Sequence, residues 1–386
     1  MRLRLLNFLV CPISKSNLDL ISWEESQNVL NQTSLNKVNE LGLDRKSFET
    51  EVINGVLLNK KEKIYYPIYN GVPRMLTYQC GVFSNFYKNF QSKIEMELSD
   101  YSLPTLTSPV GEKSVIRSFS TEWLEYDWNP EKYWKIGSDH MYRSMRFMLD
   151  LENIPLKNKQ VLEVGIGIGG IANSISSNDG CELVGLDLSY AVDAAYKNFR
   201  KNLFFHIVQA SAFKLPFRED TFDYVYSQGV LHHSSNPREC FINVSKLPKK
   251  KGHFYVWLYS DTSEKRSFTR SSIMMLEKTF RPVIWPLPKF LQEIFMAPLA
   301  LLYIFHQNFL ETRKDKEVVK YSFREALHAA RDRFTPRYAF RYSEAEVTKW
   351  FNYENYNNLV CPSRKPTEDY FIKELSRATA IIGQKN

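Results

Sequence analysis

Four glycines fall within six positions at Gly165, Gly167, Gly169 and Gly170, directly after the apolar run Val161-Leu-Glu-Val164. Such a run reads as a buried parallel strand turning sharply into a helix, with glycine removing Cβ where backbone must approach a ligand. A second run, Leu183-Val-Gly-Leu186, ends on Asp187. A carboxylate at that strand end can accept hydrogen bonds from both hydroxyls of a ribose, so the expected ligand is nucleoside-like.

Glycine spacing alone leaves two cofactors open. Gly165-x-Gly167-x-x-Gly170 also meets the dinucleotide fingerprint, with Asp187 at about the distance expected of an NAD ribose partner. Glu163, two residues before the first glycine, separates the readings. A carboxylate there can bind the ammonium of a methionine moiety, directly or through water, whereas a pyrophosphate gains nothing from one. S-adenosyl-L-methionine is the expected cofactor, and an NAD oxidoreductase is the alternative.

Two segments further on, Gln209-Ala-Ser-Ala-Phe-Lys-Leu-Pro-Phe217 and Thr221-Phe-Asp-Tyr-Val-Tyr-Ser-Gln-Gly-Val-Leu-His-His233, complete a pattern spanning roughly residues 155–260. It resembles class I S-adenosyl-L-methionine-dependent methyltransferases, specifically the broad small-molecule subfamily called type 11. The resemblance implies that Glu163, Gly165, Gly167 and Gly169 wrap the methionine and ribose. It places Asp187 on the ribose, Leu188 beside the adenine, Ser211 and Ala212 along the adenine, and Gln228 in the cofactor-binding set. Family members usually carry Asp where this chain has Ser211, and that Asp accepts a hydrogen bond from the adenine amino group. A neutral hydroxyl in its place should weaken that bond by ~1 kcal/mol.

Methyl transfer is an in-line displacement from a sulfonium, so the main tasks are aligning the acceptor and excluding water. An oxygen acceptor of high pKa also needs a base. His232 and His233 follow the strand end that carries Gln228 and would face the reaction space; His233 is the first candidate base and His140 the second. A histidine here can also serve only to shape the pocket.

A chain of 386 residues, 44% hydrophobic, is long enough for a full core and two domains. The expected fold is α/β: a doubly wound, mostly parallel seven-stranded sheet (a Rossmann-like methyltransferase fold) with a helical cap insertion and a small N-terminal α+β domain. The expected organisation is an N-terminal domain at 1–78, a turn-rich linker at 79–115, and the methyltransferase domain at 116–386 with an insertion at 261–340. In the first unit, Leu9-Val-Cys-Pro12 and Tyr66-Pro-Ile-Tyr-Asn-Gly-Val-Pro-Arg-Met-Leu76 resemble the two ends of the activator domain of tRNA methyltransferases, a zinc-ribbon-type module. Metal-binding members carry Cys-Pro-x-Cys and a later ligand pair. Here those regions read Cys11-Pro12-Ile13-Ser14 and Asn59 to Glu62, and one thiolate cannot hold a tetrahedral zinc site, so no metal is expected.

Trp123, Trp128 and Trp134 precede the first strand of the large sheet, where a lid or a packing face is expected, and residues 138–149 show helical spacing. In the insertion, Pro282, Pro286, Pro288 and Pro298 are expected to break the chain into short helices. Its expected role is a cap over the acceptor pocket. The apolar stretch 290–305 with nearby Lys278, Arg281 and Lys289 also suits peripheral contact with a membrane surface, and the two roles can coexist. The tail is expected to give a helix and two strands at an antiparallel sheet edge.

Net charge is +8, but clustering is poor: Lys249, Lys250 and Lys251 sit at a helix-to-strand turn, so nucleic acid is not an expected partner. Five cysteines without a C-x-x-C pair point to reduced thiols and a cytoplasmic protein, with membrane association as the variant. The opening ten residues are too short in apolar content for a signal peptide, and no segment reaches the ~18 apolar residues of a membrane span. The leading functional reading is methyl transfer to a small-molecule, sugar or lipid-linked acceptor. Methylation of tRNA or protein, and a non-catalytic partner-binding protein with a degenerate domain, are the alternatives. Oligomeric state is not legible.

Overall fold

Alternating and continuous apolar runs fold into two main sheets that share one core. The computed structural model describes residues 1–124, 129–133, 136–261, 268–313, 318 and 320–386. In the N-terminal unit, β1 (Asp19–Gln27) is followed by α1 (Gln32–Glu40) and α2 (Lys46–Glu49), then by β2 (Thr50–Asn59), β3 (Ile64–Tyr69) and β4 (Val72–Pro73). The four strands pair antiparallel in the order β1-β2-β3-β4. Asn70 and Gly71 join β3 to β4 with φ of 52° and 79°, the two positive angles that a tight hairpin turn requires.

The stretch expected as a linker contains a helix, α3 (Gly81–Glu97). Phe86, Ile94 and Leu98 pack on Val56, Leu58 and Tyr65 of the small sheet. The spacing Phe86, Phe90, Ile94 is helical, and only the turn-rich residues after it have a linker's composition. At the positions corresponding to metal ligands, Cys11 Sγ lies 3.3 Å from Tyr66 Oη, and Asn59 Nδ2 donates to Ser14 Oγ at 3.0 Å. Among the described residues, no three His, Cys, Asp or Glu side chains are grouped to hold a metal.

Next come α4 (Glu112–Leu124), the short pair β5 (Lys132–Tyr133) and β6 (Ile136–Gly137), and α5 (Ser138–Met148). The large sheet is built by β7 (Gln160–Val164), α6 (Gly170–Asn178), β8 (Glu182–Asp187), α7 (Ala191–Phe199), β9 (Phe205–Gln209), β10 (Phe222–Gln228), α8 (Pro237–Ser245) and β11 (Pro248–Leu258). The insertion supplies α9 (Phe268–Ile284), α10 (Lys289–Phe305) and α11 (Phe323–Phe334); the tail supplies α12 (Glu344–Tyr353), β12 (Tyr356–Val360), α13 (Tyr370–Leu375) and β13 (Thr379–Lys385). Strand order is β12-β13-β11-β10-β7-β8-β9, with β13 antiparallel to both neighbours and the other pairs parallel. This is the expected doubly wound sheet. Its order reverses between β7 and β10, and the crevice at their carboxyl ends is where such sheets bind ligands.

The N-terminal unit closes the exposed edge of β9. Met75 N donates to Gln209 O at 2.8 Å. Arg74, 1% exposed, reaches Gln209 Oε1 at 3.1 Å and pairs with Asp193. Arg4 grips Glu182 on β8 through Nε and Nη2 at 2.8 and 2.7 Å, a bidentate pair inside the boundary. Leu5, Phe8 and Leu9 lie in the same apolar core as Val184, Val208 and Phe222. Covering an edge strand removes a template for unwanted pairing.

Two prolines expected to end helices do not. Pro282 lies inside α9 and Pro298 inside α10, and the chain breaks only around Pro286 and Pro288. Pro282 falls in the last turn of its helix. Around Pro298 the chain stays helical while Met296 and Ala300 are buried in contacts with Ala330, Phe334, Ala326 and Ala329 of α11; tertiary packing of one face outweighs the lost hydrogen bond. The expected short helices are therefore two of 17 residues each.

Candidate functional site

The crevice is built by strand ends. Glu163 on β7 is 3% exposed, and its Oε2 accepts from Tyr226 Oη on β10 at 2.8 Å. Burial, with Asp187 nearby, pushes the Glu163 carboxyl up to about 8 despite that hydrogen bond. Immediately after it, Gly165, Gly167 and Gly169 take φ of 91°, 51° and 79°. A Cβ on Gly165 would lie 2.2 Å from Val230 Cγ2, so space and backbone both require glycine there.

Asp187 ends β8 and ties the turn to the next loop. Its Oδ2 accepts from Gly167 N at 2.9 Å, and its Oδ1 accepts from Ser189 N and Oγ, each at 2.8 Å. Burial raises its pKa against these hydrogen bonds. Oδ2, which accepts one bond, retains accepting capacity for a hydroxyl of a diol. Leu188 presents its carbonyl to Gln209 Nε2 at 3.0 Å, Ala212 its carbonyl to Asn243 Nδ2 at 3.3 Å, and Gln228 Oε1 accepts from Tyr255 Oη at 2.7 Å.

Ser211 has a partner that local sequence did not indicate: its hydroxyl donates to Glu112 Oε1 on α4. Glu112 is 4% exposed; among the described residues its Oε2 has no hydrogen bond of ordinary length, and the buried Tyr78 hydroxyl is its neighbour. Burial raises the Glu112 pKa against the bond from Ser211. The same helix brings Trp123 against the glycine turn, about 3.0 Å from where a Cβ of Gly167 would sit. Glu122 beside it is 1% exposed, and its carboxyl is pushed well above the usual range by burial and by the charges of Asp332 and Asp187. Trp123 thus lies where the lid was expected; Trp128 and Trp134 fall outside the described residues.

Past β10, His233 Nδ1 is 2.7 Å from Tyr338 O. A carbonyl can only accept, so Nδ1 carries the proton and Nε2 keeps its lone pair. Burial, with Arg281 and Arg341 nearby, lowers the His233 pKa to about 4. His232 is fully buried, neither ring nitrogen has a hydrogen-bond partner among the described residues, and its ring lies 4.0 Å from that of Tyr259. The end of the insertion closes over this turn: Phe340 N donates to His232 O at 3.0 Å. His140 is elsewhere. Its Nε2 lies 2.7 Å from Asp369, its ring packs against Phe371, and it therefore belongs to the α5–α13 packing and not to the glycine turn. The spacing that put it on a buried helix face carried no information about which face of the sheet that helix covers.

The crevice passes a simple test of fit to S-adenosyl-L-methionine. Two carboxylates with raised pKa, Glu163 buried and Asp187 half-buried, flank a positive-φ glycine turn, and a third, Glu112, stands beside Ser211 and Tyr78. A ligand with an ammonium, a diol and an amino group supplies what all three accept.

Comparison with known proteins agrees. Residues 162–256 match the family described as methyltransferase domain, and residues 2–71 match the Trm112p-like protein family. Fold and site together define the class, that of S-adenosyl-L-methionine-dependent methyltransferase domains. This chain carries such a domain behind a Trm112p-like domain. The sterol 24-C-methyltransferase erg6 of Schizosaccharomyces pombe is 29% identical over 171 residues, 39% of this chain and 44% of that protein. The chain spans less than half the length of the curated sterol methyltransferases it matches. Among solved structures, phosphoethanolamine N-methyltransferase 2 of Haemonchus contortus, with phosphomonomethylethanolamine and S-adenosylhomocysteine, matches with a TM-score of 0.41 at 16% identity, covering 74% of this chain and 62% of that one. The complex containing the Haloferax volcanii Trm112 methyltransferase activator matches with a TM-score of 0.36 at 14% identity, covering 64% and 92%.

Proposed function

We propose that this protein transfers a methyl group from S-adenosyl-L-methionine to a small-molecule, sugar or lipid-linked acceptor. The observation that carries the reading is the pair Glu163 and Asp187 on either side of the glycine turn. When bound, the cofactor supplies a methyl group on an activated sulfonium. Glu163 would hold the ammonium and Asp187 the ribose. Glu112, beside Ser211 and Tyr78, would offer a carboxylate oxygen to the adenine amino group, restoring from α4 the charged acceptor that Ser211 lacks. Trp123 would exclude water from the glycine turn.

At the acceptor end, His233 in its Nδ1-protonated tautomer can take a proton at Nε2 from an oxygen acceptor. Its lowered pKa keeps it neutral, and thus able to accept, throughout the physiological range. The match to a sterol 24-C-methyltransferase supports an acceptor with a large apolar part, and the five free cysteines suit a cytoplasmic protein. Incubating the purified chain with methyl-deuterated S-adenosyl-L-methionine and a lipid and metabolite extract tests this reading by mass spectrometry. A labelled organic-soluble or sugar product is expected. Label found only in added tRNA or protein would replace the acceptor class, and cofactor binding without any labelled product would leave a non-catalytic binding protein.

A further inference from the structure

The insertion hairpin carries a feature that methyl transfer does not use. Along α10 and the π-helical turn His306–Glu311 that continues it, Phe290, Ile294, Leu301, Phe305 and Phe309 are all exposed, Ile294 by 64% and Leu301 by 60%. Separations of four, seven, four and four residues set them on one helical face, and Leu302 and Phe295 widen it. The opposite face, with Met296 and Ala300, is buried on α11. On α9, Met275, Phe280 and Val283 are exposed as well. A soluble surface rarely leaves so many large apolar side chains together without a use.

Charge selects the occupant. Among the described side chains of α9, α10 and the π-helical turn, the carboxylates are Glu277, buried with Arg333 and Arg341, and the half-exposed Glu293, held by Arg331 at 2.7 Å and paired with Lys289 at 3.9 Å, so that cations outnumber carboxylates there. Exposed cations bracket the stripe: Lys289 opens α10, Arg313 follows the π-helical turn, and Lys278 stands on α9. A second copy of the chain is a poor match. A two-fold axis across the stripe would set Lys289 against Lys289 or against Arg313, like charge on like charge in either direction. An anionic lipid surface satisfies both features, apolar side chains entering the acyl boundary and cations meeting the headgroups. No described helix is long and apolar enough to cross a membrane, so the contact is in-plane.

We infer that the α9–α10 hairpin docks this protein on the surface of an anionic lipid bilayer, with the face of Phe290, Ile294, Leu301 and Phe305 inserted. A cleft between α4 and the start of α10 is lined by Ser118, Trp285, Lys289 and Thr335. The surface argument is independent of the methyl-transfer reading, and its test needs no turnover.

Co-sedimentation of the full chain with vesicles of phosphatidylcholine, with and without phosphatidylglycerol, reads the interaction. Partitioning onto the anionic vesicles is expected, at least about tenfold stronger than onto phosphatidylcholine alone. The triple substitution Phe290→Ser, Leu301→Ser and Phe305→Ser should reduce it by about tenfold or more, with unchanged cofactor affinity and thermal midpoint because all three side chains are exposed. Reversing Lys278, Lys289 and Arg313 to Glu should remove the preference for anionic vesicles. The inference is overturned if the full chain stays in the supernatant with both vesicle types. It is equally overturned if light scattering shows a dimer that the triple substitution dissociates, since a second copy would then cover the face.

Discussion

The crevice at the glycine turn and the hairpin of α9 and α10 are opposites in construction. In the crevice, Glu163, Glu112 and Glu122 are withdrawn from water and Asp187 is half-buried, all held in place by strand ends and α4. Along the hairpin the carboxylates are paired with arginines, and a row of large apolar side chains points out. Burying a charge is costly unless something compensates it, and exposing an apolar face is costly unless something covers it. Each region thus records the chemistry of what it receives: a cation and hydrogen-bond donors in one, an apolar phase in the other.

The contrast can be broken at several points. The largest effect is expected at Gly165, where Ala would combine a positive φ with a Cβ 2.2 Å from Val230. Gly165→Ala should cost about 3 kcal/mol of stability, read as a lowered denaturant midpoint. Next is His233→Ala. With an oxygen acceptor, turnover should fall by about a hundredfold, and the wild-type rate should be flat above about pH 5, since the acid limb follows a group held at about 4. Unchanged turnover in His233→Ala would remove the base role and leave His233 as a pocket wall.

Glu163→Gln should weaken cofactor binding by about tenfold and abolish its pH dependence. The sign follows from the raised pKa. Without ligand the folded state holds the proton up to about 8, while the bound ammonium favours the carboxylate. Affinity should therefore rise as pH rises towards about 8 and level off above it. By the same linkage, the ligand-free protein should lose stability between the unfolded carboxyl's ordinary pKa and about 8, because the folded state binds the extra proton there. The smallest effect is expected at α4. Glu112→Gln should weaken binding about fivefold with little change in unfolding, and combining it with Ser211→Asp should recover affinity, because one charged acceptor then stands again beside the adenine. Ser211→Asp alone should fail to help, since it places two carboxylates side by side.

What could be read from sequence divides along the same line. Glu163 and Asp187 stand at the ends of consecutive strands and Gly165, Gly167 and Gly169 in the turn after the first, all within 25 positions, so their spacing alone predicts their meeting. Ser211 signalled a missing acceptor, but Glu112 lies 99 residues earlier on a helix whose docking depends on tertiary packing, and no local pattern points to it. His140 failed for the related reason that a helical period shows a buried face but not what covers it. In the insertion, Pro282 and Pro298 suggested breaks that packing on α11 overrides. The exposed stripe was visible only as a hydrophobic stretch, because sequence shows apolarity and not exposure.

Isothermal titration of S-adenosyl-L-methionine at pH 7, in two buffers of different ionisation enthalpy, tests the central claim most directly. The account predicts one site per chain and, because Glu163 is held at about 8 before binding, net release of a proton that Glu163→Gln abolishes. No binding heat at millimolar cofactor, or binding with no proton released, would contradict it.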